Sequence, residues 1–120
     1  MSDWPRPVVR FLIQAQDLEK QRAFYAAMFD WDITAPFEGA PFLDIPEGKG
    51  PPPDGVGGTM IQDDKSNVTI YLQVADLPAS LKQADELGGK AIMQPVDVPD
   101  GPTIAQIEDP EGNVLGLVQM

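Results

Sequence analysis

The sequence contains no histidine and no cysteine in its 120 residues. Without cysteine the chain cannot form disulfides, thiolate nucleophiles or iron–sulfur ligands. Without histidine it lacks the commonest ligand of zinc, iron, nickel and copper, and also the usual general base near neutral pH. An ordinary transition-metal site built on these two residue types is therefore excluded.

Long apolar runs and clustered basic residues are also missing. No stretch approaches the roughly 18–20 apolar residues that cross a bilayer, and MSDWPRPVVR does not have the order of a secretory signal. We therefore expect a cytoplasmic protein with no membrane partner. The net charge of −11 argues against nucleic acid as a partner. That charge either steers a cationic ligand towards the protein or simply maintains solubility.

The first half of the chain predicts a strand, a helix and further short strands. Residues 8–14 are rich in branched and aromatic side chains, and Asp17 follows as a helix N-cap. The spacing after it predicts a helix over 18–29 with an apolar face made of Leu18, Phe24, Tyr25, Met28 and Phe29. Extended segments at 31–34, 41–47 and 59–62 follow, with a proline-rich loop at 47–58 before the last of them.

The second half repeats this order. A strand at 68–74 precedes Asp76, a second N-cap, and a helix over 77–87 that the glycines at 88 and 89 end. Strands are predicted at 90–96, 102–108 and 114–119, with a turn at 109–113. Asp17-Leu18 and Asp76-Leu77 correspond, which indicates an internal duplication.

The duplication predicts a fold of class α+β in a single domain over residues 1–120. Its repeats cover approximately residues 7–62 and 67–120, and each has the order βαβββ. One such unit alone would leave one face of its sheet bare, so two must pack together, within one chain or across a dimer.

Three segments carry a resemblance to a known superfamily. QDLEKQRAFYAAMFDWDI (16–33), VADLPASLKQADELGGKAI (74–92) and IEDPEGNVLGLVQ (107–119) occur in this order over nearly the whole chain. The chain resembles the vicinal oxygen chelate superfamily, which includes glyoxalase I, bleomycin-resistance proteins, fosfomycin-resistance enzymes and ring-cleaving dioxygenases. The resemblance implies curved mixed sheets around a cavity (the glyoxalase/bleomycin-resistance fold) and a homodimer.

The resemblance also implies where a metal would be bound. In metal-using members the ligands are typically His, Gln or Glu, from the first and last strands of each half. The corresponding positions here hold Arg10, Met60, Thr69 and Gly116. These side chains do not make a divalent-metal site, and the charge of Arg10 would repel the ion. The resemblance therefore implies a member without metal and without another cofactor.

A cavity lined by alternating strand residues would remain. Strand parity adds Leu12, Tyr71, Gln106 and Glu108 to Arg10, Met60, Thr69 and Gly116 as candidate ligand-binding residues. Apolar walls with a few polar anchors are typical of small-molecule sites. Each residue also has a purely structural interpretation: Arg10 could pair with a carboxylate such as Glu108, and Tyr71 could be a packed aromatic.

Two classes of function follow from these residues. The first is metal-free binding of an unidentified small molecule, whose charge the sequence leaves open. The alternative is a metal-independent lyase or isomerase in which Glu108 or Tyr71 is the acid/base and Arg10 stabilises an oxyanion.

Overall fold

The structure, a computed structural model, describes residues 4–48, 55–99 and 101–119. Its strands and helices follow one another as β1 (Val8–Ala15), α1 (Leu18–Phe29), β2 (Leu43–Ile45), β3 (Gly58–Gln62), β4 (Asn67–Gln73), α2 (Leu77–Glu86), β5 (Lys90–Asp97), β6 (Thr103–Glu108) and β7 (Val114–Gln119). They divide into two compact units. The N-terminal unit comprises residues 10–68, and the C-terminal unit joins the chain from residue 69 onward to the chain up to residue 9.

The helices match their sequence signals closely. Both begin directly after an aspartate N-cap, whose carboxylate accepts a hydrogen bond from the backbone N–H of Lys20 in α1 and of Ala79 in α2. Helix α2 ends one residue before the predicted end. In the parts of the chain that the structure describes, no helix has both the length and the apolar sequence needed to cross a membrane.

The α+β class with mixed sheets is confirmed, with three differences in the first half. The extended segment predicted at 41–47 is reduced to the three residues of β2. The extended segment predicted at 31–34 is reduced to a single bridge between Thr34 and Asp44. The loop predicted at 47–58 lies partly outside the described residues, because 49–54 are not among them. Strand β3 begins at Gly58, one residue before its predicted start.

The sheet of the N-terminal unit packs one face against α1. Strand β1 pairs in parallel with β3, and β2 pairs antiparallel with β3. The buried core on this face consists of Ile13, Ile33, Ile45 and Met60, against which Phe11, Leu18, Tyr25, Trp31 and Leu43 pack.

The predicted apolar face of α1 is only partly buried. Leu18 and Tyr25 contact the core, and the Tyr25 ring stacks on Trp31 with centroids 5.7 Å apart. Phe24, Met28 and Phe29 are instead 56%, 63% and 50% exposed. Successive helix residues point about 100° apart, so one flat sheet face reaches only a narrow stripe of the helix.

The C-terminal unit repeats this plan with one more full strand. Strand β4 pairs in parallel with β7, β6 pairs antiparallel with β7, and β5 pairs antiparallel with β6 through two irregularities. Helix α2 covers one face, with a buried core of Val74, Leu77, Leu81, Ala105 and Leu117. The single bridge at Thr34 corresponds to β5. Thr34 pairs with β2, which borders β3, and β5 pairs with β6, which borders β7.

Both units also anchor the start of their helix in the same way. The backbone N–H of Leu18 donates to Gln62 Oε1 at 3.1 Å, and that of Leu77 donates to Gln119 Oε1 at 2.6 Å. Each glutamine ends the last strand of its unit, and each satisfies a donor that a helix leaves without an internal partner. The duplicated plan therefore extends to individual hydrogen bonds.

The turn between β6 and β7 is organised by Asp109. Its Oδ1 accepts hydrogen bonds from the backbone N–H groups of Glu111 and Asn113, and its Oδ2 accepts one from the Asn113 side chain. These bonds hold the pKa of Asp109 below its ordinary value, the Asn113 side chain contributing most. Every hydrogen bond that the carboxylate makes with the described residues lies within the turn, as expected of a hairpin turn.

The lowered pKa gives a direction to the pH dependence of stability. The Asp109 contribution is present above the ordinary carboxyl pKa and is lost as the pH falls through the lower, folded-state value. We therefore expect Asp109→Asn to lose less stability than the natural protein between about pH 5 and about pH 2. Urea midpoints measured along this range test it. Parallel curves for the two proteins would contradict it.

Candidate functional site

On the sheet face opposite α1, a row of side chains crosses the N-terminal unit. Leu12 lies opposite Thr59, and Thr59 lies opposite Asp44. Opposed residues of paired strands project to the same face, and residues two apart along a strand do so as well. Arg10 therefore joins Leu12, Thr59 and Asp44 on what we name the Arg10 face.

Arg10 is held in place by bonds to β3, the neighbouring strand, and to β2, the strand beyond it. Its Nε donates to Thr59 Oγ1 at 2.9 Å, and its Nη2 donates to Asp44 Oδ1 at 2.6 Å and to the carbonyl oxygen of Gly58 at 2.7 Å. The side chains of Arg10 and Asp44 remain 40% and 44% exposed. The carboxylate that pairs with Arg10 is thus Asp44, whereas the structural interpretation of the sequence named Glu108 as an example.

Met60 does not lie on the Arg10 face. It is opposite Ile13 and Leu43, it is fully buried, and it packs in the core beneath α1. A shift of one residue along a strand moves a side chain to the other face. Thr59 therefore takes the place beside Arg10 that we had expected Met60 to take.

The C-terminal unit carries the other five predicted residues on its sheet face opposite α2. Tyr71 lies opposite Gly116, which in turn lies opposite Gln106. Their chain neighbours Leu72, Leu117 and Ala105 belong to the core packed against α2, so these three positions project the other way. Thr69 and Glu108 share this parity and complete what we name the Tyr71 face.

Gly116 and Tyr71 fit together closely. A Cβ atom at Gly116 would lie 2.4 Å from the Tyr71 ring, so the ring occupies the space that any side chain at this position would need. The ring is buried, and the Gln106 side-chain amide donates to its hydroxyl oxygen at 3.2 Å. The space that Gly116 leaves is therefore filled by Tyr71.

The donors at the four implied ligand positions do not fit a divalent metal. The Arg10 guanidinium is a donor only, Gly116 has no side chain, and Met60 is a thioether buried in the core. The described residues contain no group of three or more Asp, Glu, His or Cys side chains that could hold a metal ion. The side-chain chemistry thus disagrees with the metal site of metal-using relatives.

The predicted residues fall into two sets. Arg10 and Leu12 lie together on the Arg10 face, and Thr69, Tyr71, Gln106, Glu108 and Gly116 lie together on the Tyr71 face. Asp44 and Thr59 were missed as site residues. The alternation of residues 42–45 could have predicted that Asp44 projects to the other face of its strand from its apolar neighbours. Nothing in the sequence indicated that Asp44 pairs with Arg10.

Comparison with known proteins identifies relatives over nearly the whole chain. The sequence model of the glyoxalase-like domain family matches residues 10–118. A glyoxylase-like domain-containing protein of Didymella fabae is 30% identical over an alignment 115 positions long, and the matched region covers 88% of this chain and 87% of that protein.

Solved structures share the fold at low sequence identity. One is a glyoxalase/bleomycin resistance protein/dioxygenase superfamily member from Vibrio splendidus, with a TM-score of 0.65, 13% identity, and coverage of 97% of this chain and 100% of the other. Another is a variant of Streptomyces coelicolor methylmalonyl-CoA epimerase in complex with 2-nitronate-propionyl-CoA. Its TM-score is 0.64 at 16% identity, with 94% of this chain and 93% of the other covered.

Proposed function

Because the chain belongs to the glyoxalase-like domain family, we propose that it is a metal-independent member that binds a small molecule. The observation that carries the proposal is the fixed position of Arg10 on the Arg10 face. Its guanidinium bonds to Thr59, Asp44 and Gly58, and its side chain is still 40% exposed.

An arginine held in this way is suited to binding. Long side chains lose rotamer entropy when they bind a ligand, and that cost is reduced where the side chain is already immobilised. A purely structural arginine on the surface would gain little from this arrangement, since exposed ion pairs contribute only about 0–1 kcal/mol. Leu12 beside it supplies apolar contact area of the kind that lines small-molecule sites.

The metal-independent part of the proposal rests on the donors. A divalent cation prefers carboxylate, imidazole or thiolate ligands, and the four implied positions offer a cation, a thioether, one hydroxyl and a glycine. We expect purified protein, prepared without a metal-binding tag, to contain less than about 0.1 zinc, nickel, iron or manganese per chain, far below the stoichiometric occupancy of a structural or catalytic metal site. Plasma mass spectrometry measures this. A metal bound at one per chain would refute this part.

The binding part is tested through Arg10. A thermal-shift screen of small carboxylates, amides and amines should yield compounds that stabilise the natural protein but not Arg10→Ala. Arg10 also connects β1 to β2 and β3, but its ion pair is partly exposed, so we expect Arg10→Ala to lower the free energy of unfolding by only about 1 kcal/mol.

Arg22→Ala provides the matched control. Arg22 also pairs with a carboxylate, Glu19, but on the exposed surface of α1. This variant should retain the stabilisation by every compound found in the screen. Compounds that stabilise Arg10→Ala as much as the natural protein would count against the Arg10 face as the binding surface.

A metal-independent lyase or isomerase is the second candidate, and one observation favours it. Gln106 donates to the Tyr71 hydroxyl oxygen, so the hydroxyl hydrogen of this buried ring is left to donate. A neutral donor of this kind can protonate or stabilise a developing enolate. Glu108, on the same face and half-buried, is the other acid/base candidate.

A further inference from the structure

We infer that the ligand of the Arg10 face is electrically neutral and carries a carboxamide or a comparable group with both an acceptor and a donor. This inference rests on the proposed function, which leaves the charge of the ligand open. It follows from which hydrogen-bonding atoms of Arg10, Asp44 and Thr59 are already in use.

The donors of Arg10 are partly used. An arginine side chain has a single N–H on Nε and a pair on each terminal nitrogen. Thr59 takes the Nε hydrogen, while Asp44 and the Gly58 carbonyl take the pair on Nη2. Within the described residues Nη1 makes no hydrogen bond, so its pair of hydrogens is what Arg10 can offer to a ligand.

The charge of Arg10 is balanced at short range. Asp44 Oδ1 lies 2.6 Å from Nη2, so the two side chains form an ion pair without net charge. The whole chain carries −11, which repels anions at longer range. A carboxylate ligand would therefore meet donors without a net positive charge. A cationic ligand would be repelled by the Nη1 hydrogens, which carry partial positive charge. A neutral ligand avoids both penalties.

Acceptor capacity remains on the other member of the ion pair. An ionised carboxylate accepts through both oxygens, and Asp44 Oδ2 has no hydrogen bond to any described residue. The Thr59 oxygen accepts from Arg10, which leaves its hydrogen to donate. A carboxamide matches this set, because its oxygen accepts from Nη1 and its N–H donates to Asp44.

The inference is tested with two probe series that differ only in charge. Benzamide, benzoate and benzamidine form one series, and the corresponding naphthalene compounds form the other. Titration of ¹⁵N-labelled protein gives affinities from the amide shifts of Leu12 and Thr59. We expect the amide of each series to bind about five- to tenfold more tightly than either ion, with little change between about 20 mM and about 500 mM NaCl.

Asp44→Asn provides the decisive variant. It keeps an oxygen for Nη2 and removes the balancing charge, so the preference should move from benzamide to benzoate by about five- to tenfold. Arg22→Ala should leave the preference unchanged. The salt titration of the natural protein tests the same point without any variant.

The possible failures are distinguishable. If benzoate or benzamidine binds the natural protein most tightly and Arg10→Ala abolishes that binding, the inference is overturned and the proposed function stands. If no probe of either series shifts Leu12 or Thr59, both are overturned.

Discussion

Replacing Met60 with alanine is expected to lower the free energy of unfolding by about 2–5 kcal/mol. Met60 is completely buried among Ile13, Ile33 and Ile45, so truncation removes buried apolar surface and leaves a cavity beneath α1. Urea unfolding followed by circular dichroism measures the change.

Met60→Leu is the matched control, since it nearly conserves volume and should cost less than about 1.5 kcal/mol. Neither variant should alter probe binding to the Arg10 face, provided that the protein remains folded. A loss of stability below about 1 kcal/mol in Met60→Ala would show that Met60 does not belong to a packed core.

Replacing Gly116 with alanine is expected to destabilise the protein by about 1–3 kcal/mol, the usual cost of overpacking. The new Cβ would lie 2.4 Å from the Tyr71 ring, well inside the usual contact distance, and the buried ring would have to move. Movement of the ring would also disturb the hydrogen bond from Gln106. This loss should exceed the backbone-entropy gain of about 0.4–1 kcal/mol that alanine brings over glycine.

A double-mutant cycle isolates the contact between the two residues. With Tyr71 replaced by alanine, Gly116→Ala should become neutral or slightly stabilising, because the ring is gone and only the entropy gain remains. Equal effects of Gly116→Ala in both backgrounds would show that the backbone of β7, and not the Tyr71 ring, requires glycine here.

The helices and the duplicated plan could be predicted because their signals are local. Asp17 and Asp76 precede helix-forming segments, and an N-cap acts on backbone groups only two or three residues away. The burial of α1 was predicted less well, since exposure of Phe24, Met28 and Phe29 depends on how much of the helix the sheet covers. The Thr34 bridge likewise depends on its partner Asp44.

The candidate site was predictable where it depends on local alternation along a strand, and not where it depends on the register between strands. Alternation along β4, β6 and β7 placed Thr69, Tyr71, Gln106, Glu108 and Gly116 correctly on one face. In β3 the prediction missed by one residue, because the preceding loop at 47–58 carries no signal for the register. That single step exchanges Met60 for Thr59, and with it a core residue for a hydrogen-bonding partner of Arg10.

Composition by itself determined that the chain has no histidine or cysteine side chain to use. The order of the motifs predicted the fold, because their signals can be read along the chain without knowing its conformation. Only the tertiary structure decided what Arg10 is. Asp44 is 34 residues away in sequence, yet pairing of β2 with β3 and of β3 with β1 brings its carboxylate within 2.6 Å of the guanidinium. An arginine that the sequence presents as a cation becomes half of a balanced pair, since charge neutralisation depends on distance in space.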